Sequence, residues 1–328
     1  MSSSLSRNAW PNWLPVVLLL ASCAQPATSP KSTPTATPAV VAVASPSPSP
    51  TPPPIPQQAE APLPAQRQEV ASTSAGDAVI YVIGGFDTAG RSSNSFFFQK
   101  DGWSTGPSYP LPIDHAAAAT VGARLLVAGG YSNGAAQAAV YELGGEGWVQ
   151  RSPMHHARGA HALVALGGRL FAIGGAAGPD VAPVEAYDTA TDSWADVTVL
   201  PVNRNHLAGF SWKELACVAG GRSPNTPRVD CYDPKANVWS RLPDLPAATS
   251  GAGAVALGGR VIVAGGENAG ESFLVNHVFR FDGTAWTDEP MLVPRHGIQL
   301  AVFRGRAWAC GGATAAGYRA VPDCTSIG

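Results

Sequence analysis

Three arginines stand in register in this chain. Arg158, Arg204 and Arg295 each lie sixteen residues before the first glycine of a Gly-Gly doublet, while His115 and His206 lie fourteen before theirs and His296 fifteen before. Guanidinium groups brought together from such positions could clamp one anion, a carboxylate or a phosphate, through charge-assisted hydrogen bonds. The imidazoles could exchange protons near neutral pH. A second reading stands beside this one, because buried arginines also serve to satisfy loop carbonyls. At the same offset the other three doublets have Gln68, Ile113 and Thr249, so only half of the set is cationic. Asp114 adjoins His115, and Asp87, Asp180, Glu267 and Glu271 are scattered over polar loops without a spacing that marks an acid/base pair. No catalytic residue is assigned on that pattern. His155 and His156 are adjacent, the other histidines fall singly along the chain, and no Cys-x-x-Cys occurs, so neither a metal nor a cofactor is expected.

The elements that position these residues repeat. Doublets recur at Gly84-Gly85, Gly129-Gly130, Gly174-Gly175, Gly220-Gly221, Gly265-Gly266 and Gly311-Gly312, with spacings of 45, 45, 46, 45 and 46. Each closes a short apolar run that reads as a strand buried on both faces. About twelve residues on comes an aromatic residue, often followed by an acid (Tyr141-Glu142, Tyr187-Asp188, Tyr232-Asp233, Phe281-Asp282), and then a tryptophan: Trp103, Trp148, Trp194, Trp239 and Trp286. The pattern resembles the kelch repeat of β-propellers over residues 67–328. The resemblance implies an all-β, six-bladed kelch-type β-propeller with four strands per blade. In such a meander the post-doublet loops and the entries to the innermost strands share one face, where binding loops collect. Some kelch propellers are enzymes, among them a bacterial sialic-acid mutarotase and the copper enzyme galactose oxidase. The copper chemistry needs a Tyr–Cys cross-link and further histidines that have no counterpart here.

The sixth unit ends at Gly328 before any tryptophan strand. Either residues 57–66 donate the missing strand, the favoured reading, or the last blade stays three-stranded with Pro322 suiting its third strand to an exposed edge. Cys217 and Cys231 fall on the second and third strands of unit four, and Cys310 and Cys324 on those of unit six, both fourteen apart. Strand parity puts each pair on one face, which predicts the disulfides Cys217–Cys231 and Cys310–Cys324 in an exported chain.

Arg7 precedes an apolar stretch, residues 14–21, far short of the roughly 20 residues of a membrane span. It ends in Leu20-Ala21-Ser22-Cys23, which resembles a bacterial lipobox. The resemblance implies a lipoprotein signal peptide over 1–22, lipidation of Cys23, and an outer-membrane address in the bacterial cell envelope. A disordered Pro/Ser/Thr-rich linker follows over 23–66, able to hold a domain up to ~120 Å from the membrane if extended. Only 13% of residues are charged, with a net charge of −2 and no basic run, which excludes nucleic acid as a partner. The sequence thus predicts a lipid-anchored binding module that takes a protein partner or an anionic carbohydrate at the arginine-bearing face. The alternatives are an enzyme of the sugar-acid mutarotase kind and a passive assembly scaffold.

Overall fold

A computed structural model describes residues 56–268 and 270–328. The expected signal peptide over 1–22, the expected lipidation site Cys23 and the expected linker up to residue 55 lie outside the described residues. Those described form six four-stranded antiparallel sheets and one short two-stranded ribbon, Tyr131–Ser132 with Ala135–Ala136, with no helix among them. Five sheets are simple meanders. The first runs Ala71–Ala75, Val79–Ile83, Phe96–Gln99 and Trp103–Thr105 from the inside outward, and the next four repeat the order. The sixth contains Leu300–Phe303, Arg306–Cys310 and Cys324–Ile327, and its outer strand is Gln57–Glu60 from the other end of the chain.

That strand closes the ring. Gln57 pairs with Ile327 and Glu60 with Cys324 in antiparallel register, so the propeller begins before the boundary at residue 67. Pro322 precedes the third strand and does not sit within it, and that strand is covered, with all four of its residues buried. Both predicted disulfides are present, each between residues directly opposite on neighbouring strands.

The apolar core is divided among the blade interfaces. Six clusters each draw on two adjacent blades: Leu126, Leu163, Leu170 and Tyr187 belong to one, and Phe210, Val229, Val263 and Phe279 to another. Tryptophans fasten the outer edges. The indole N–H groups of Trp148, Trp194 and Trp286 donate to Pro107, Ser152 and Pro243 carbonyls of the preceding blade, and Trp103 donates to Ala61 beyond the closing strand.

Glycine doublets are needed because the blades meet there at backbone contact. A Cβ on the first glycine of each pair would lie 2.3 to 2.6 Å from a carbonyl oxygen of the next blade, that of Ile113, Arg158, Arg204, Thr249, Arg295 or Arg67. The second glycine's N–H donates to the same six carbonyls. All twelve glycines have positive φ, the left-handed region that costs other residues about 1–2 kcal/mol.

Candidate functional site

Those six carbonyls define the true equivalents along the chain: Arg67, Ile113, Arg158, Arg204, Thr249 and Arg295. Arg67 takes the place assigned to Gln68. Blade one has a hairpin turn longer by one residue, since Ala75 pairs with Val79 whereas Val121 pairs with Arg124, so counting back from its doublet lands one residue late.

The arginines do not form an anion clamp. Arg158, Arg204 and Arg295 are wholly buried, and each reaches into its own blade to the carbonyl of the glycine sixteen residues on, Gly174, Gly220 or Gly311, at 2.9, 2.6 and 2.9 Å. Arg158 also contacts Glu185 at 2.6 Å, Arg204 contacts Asp230 at 3.0 Å, and Arg295 donates to Asp323 O. Thr249 Oγ1 serves Gly265 O in the same way. These positions serve the strand-to-loop corner, sealed from solvent by complete burial, and Arg295 Nη2 is a buried donor without a hydrogen-bond partner.

Two residues further on, the chain turns into the channel. Glu69, His115, Ala160, His206, Gly251 and Gly297 all have φ between 50° and 66°. Their backbones join in a belt, each N–H from His115 to Gly297 donating to the residue one blade earlier at 2.7 to 3.0 Å. Left-handed φ in a non-glycine residue stores about 1–3 kcal/mol and clusters at functional sites. Three of the four strained residues here carry titratable groups, and all three line the channel cavity. The residue before each belt position forms an isolated bridge with the residue just after a doublet: Asp114 with Tyr131, Asn205 with Arg222, Ser250 with Glu267, His296 with Ala313. The fold thereby delivers three tiers of side chains to one mouth.

His115, His206 and His296 do come together there, though without the arginines expected beside them. His115 Nε2 lies 3.3 Å from Glu69 Oε2, and His296 Nδ1 lies 3.3 Å from Glu69 Oε1. The His115 and His206 rings are 5.0 Å apart, edge to face. Arg222 donates to His206 Nε2 at 2.8 Å and pairs with Glu267 and Glu271. Burial opposes charge on His115 and His296, but Glu69 outweighs it, joined by Asp114 at the first and Glu267 at the second, and both imidazoles hold their protons above the ordinary range. Desolvation likewise works against the Glu69 carboxylate, yet the surrounding imidazoles keep it well below the usual carboxylate range. His206 is driven far down by burial and by His115, so it is neutral and accepts from Arg222. The site thus sets imidazoles of opposite proton affinity side by side, His115 and His296 shifted up and His206 shifted down.

Sequence reasoning missed Glu69, Arg222 and the recruitment of Glu267. The signal was available in the residue straight after each doublet and in the belt position counted from the strand-one side. Among the described residues, two groups present ligand atoms close enough for a metal ion: Glu69, His115 and His206 at the mouth, and His155, Glu185 and Asp196 on the outer side of blade three. Asp180 and Asp87 are engaged elsewhere, with Asn205 Nδ2 and Arg91 respectively.

Below the mouth a channel cavity of about 250 Å³ is lined by the innermost strands. Gln299 reaches across it, accepting from Ser72 N at 2.9 Å and donating to Ala116 O. Above, an open groove of about 720 Å³ runs between Phe86, Tyr131 and Tyr318, with Asp114, His115, Ser92 and Arg91 along it. His115 faces both spaces.

His161 is an anomaly with a consequence for stability. It follows belt residue Ala160, where other blades have Val70, Ala116, Leu207, Ala252 and Ile298, and neither ring nitrogen has a hydrogen-bond partner. Burial, reinforced by Arg158, lowers its pKa to about 3 from 6.5. The unfolded chain therefore takes up a proton below pH 6.5 that the folded chain refuses until about pH 3, and stability falls with pH by up to about 1.4 kcal/mol per unit across that window. In urea unfolding, His161→Leu is expected to flatten this slope, so its advantage over the parent grows as pH drops from 7 to 4. Parallel pH curves for the two proteins would contradict it.

Residues 157–198, the entry and body of blade three, match the family model of the Kelch motif. The chain is a six-bladed kelch-type β-propeller. The kelch propeller is 36% identical over 108 residues to Kelch-like protein 33 of Homo sapiens, covering 30% of this chain and 20% of that protein. It is 30% identical over 157 residues to Beta-scruin of Limulus polyphemus, covering 41% and 17%, and 30% identical over 154 residues to Kelch-like protein terF of Aspergillus terreus, covering 40% and 33%. The chain thus spans from about a sixth to a third of the length of these curated relatives. Among solved structures, that of YjhT superposes with a TM-score of 0.67 at 17% identity, covering 80% of this kelch propeller and 95% of that chain. The likeness is one of fold.

Proposed function

We propose that the kelch propeller is a binding module for a sugar-sized polar ligand, a sugar acid or the end of an anionic glycan, taken in the groove above His115. The aromatic frame carries this reading: Phe86 packs edge-on against both His115 and Tyr318, and Tyr131 edge-on against His115, with centroids 5.3 to 5.5 Å apart. Flat apolar walls with a few convergent polar groups suit a sugar ring, and the groove lies within the roughly 300–1,000 Å³ of small-ligand sites. Arg91, exposed on the rim, and His115, on the floor, would receive a carboxylate. Kelch propellers commonly bind proteins, and a protein partner on this loop face is the competing outcome of the test. In the same reading Cys23 is lipidated and the linker displays the propeller from a bacterial outer membrane.

One observation favours the sugar-acid mutarotase as a second reading. His115 Nδ1 contacts Asp114 Oδ1 at 2.6 Å, and that carboxylate also accepts from Ser92 Oγ at 2.5 Å. An oriented imidazole at the groove floor is the acid/base that anomer exchange needs.

Thermal shift of the full chain against sugar acids and anionic oligosaccharides tests the binding reading. A ligand at a hundred times its dissociation constant adds about 2.7 kcal/mol. One hit is expected to stabilise the parent and not Tyr318→Ala, which removes a side chain that is 55% exposed. No shift from any sugar acid, or a shift retained in the variant, would overturn it and leave a protein partner as the ligand.

A further inference from the structure

We propose that the channel mouth binds a divalent first-row transition ion, zinc in class, through Glu69, His115 and His206. The inference does not rest on the sugar reading, since metal retention is measured with no organic ligand added.

Three observations carry it. The ligand atoms of these three residues lie within 4.8 Å of one another although they come from blades one, two and four, so the ring closure itself assembles them. Each imidazole at the mouth, moreover, has one nitrogen tied to an oxygen acceptor: His115 Nδ1 to Asp114 Oδ1 at 2.6 Å, His206 Nδ1 to Asn205 Oδ1 at 2.5 Å, and His296 Nε2 to Ala315 O at 3.2 Å. That outer support is the arrangement by which metal-ligating histidines are oriented, with the remaining nitrogen left for the ion. The supporting Asp114 and Asn205 are the chain neighbours of the ligands they hold, and they stand at the same place in their repeats. Finally, all three proposed ligands have left-handed backbone, at φ 53°, 50° and 53°, where this position in two other blades is glycine. Strain is retained at the residues that would do the ligating.

Charge points the same way. Carboxylates crowd the mouth: Glu69 and Asp114 lie against His115, Glu267 lies against His296, and Glu267 and Glu271 share Arg222. Arg222 Nη2 occupies His206 Nε2 at 2.8 Å, and an ion there displaces it; its Nη1 is already held by Glu267 and Glu271, which keep the guanidinium in place. His296, 3.3 Å from the other Glu69 oxygen, fixes that carboxylate. Imidazole with carboxylate suits zinc and its neighbours, and three protein ligands leave a position open to water or to a ligand from the groove.

The test is a titration of the chelator-stripped full chain with Co²⁺, read by its visible d–d absorption and reversed with Zn²⁺. One equivalent is expected to bind with bands of a low-coordinate site. His115→Gln and Glu69→Gln should weaken binding at least about tenfold, and Asp114→Asn, which keeps every ligand, about 10–100-fold. Substituting the surface pair, His155→Ala with Asp196→Ala, should change nothing. Should a ligand variant fail to fold, Asp114→Asn on a protein of native circular dichroism carries the test. The absence of a d–d spectrum, a spectrum retained in both His115→Gln and Asp114→Asn, or one lost with the surface pair would each overturn the proposal.

Discussion

Replacing Arg158 by alanine is expected to destabilise the propeller by about 3–5 kcal/mol, the cost of breaking a buried ion pair by removing one partner. Glu185 is as fully buried as Arg158 and loses its 2.6 Å ion pair, while the carbonyls of Gly174 and Pro183 lose their 2.9 Å donors. For a domain of this size that is a fall in Tm on the order of 10 °C. Two companions separate the causes. Arg158→Met with Glu185→Leu removes both charges and should recover part of the loss, because an apolar pair needs no counter-ion while the Gly174 and Pro183 carbonyls and the His155 N–H stay without their partners. Arg67→Ala, at the equivalent position in blade one, should cost only about 1 kcal/mol, since Arg67 is part-exposed and its hydrogen bonds go to Ser95 Oγ and Gln66 O. Equal losses for Arg158→Ala and Arg67→Ala, read by calorimetry, would contradict this account of the arginines.

The second large effect is at the blade seams. Gly129→Ala and Gly122→Ala have nearly the same backbone, φ +62° and +61°, and differ in what surrounds them. A Cβ at Gly122 meets nothing within 4 Å, so that variant bears only the conformational penalty of about 1 kcal/mol. At Gly129 the Cβ would lie 2.4 Å from Arg158 O and 2.7 Å from His161 Cε1, and the carbonyl cannot retreat without breaking the 2.9 Å bond it accepts from Gly130 N. A cost of about 3–5 kcal/mol is expected, overpacking added to backbone strain. Denaturant unfolding of the two variants side by side decides it. Similar midpoints would mean that the seam is softer than its geometry.

Much of the architecture was legible because it is periodic. Doublets spaced by one blade, a tryptophan on each outer strand and cysteines in matched register are signals of chain distance alone, and ring closure by residues 57–60 follows from a strand missing at the other end. The site was less legible because it depends on direction as well as distance. Arg158 and His115 both stand near a strand-one entry, but a two-residue step along a strongly turned segment sends the first into its blade and the second to the axis. One added turn residue in blade one, seen in the pairing of Ala75 with Val79, moved Arg67 and Glu69 out of the count. Histidines that fall singly along the sequence looked unable to share a site. In a closed ring, residues a blade or more apart become neighbours, and their separation in the chain carries no such information.

On the proposed reading, ligands are received by the cluster around His115 while the buried arginines are structural. Titration calorimetry with the best sugar acid, on the parent, His115→Ala and Arg295→Lys, tests it most directly. Loss of a hydrogen bond to the ligand carboxylate at the groove floor should weaken binding about 10–100-fold in His115→Ala. Arg295→Lys, whose side chain is wholly buried and donates to Gly311 and Asp323 carbonyls, should bind as the parent does once it is folded. Unchanged affinity in His115→Ala together with lost affinity in Arg295→Lys would contradict the claim and return the arginines to the binding site.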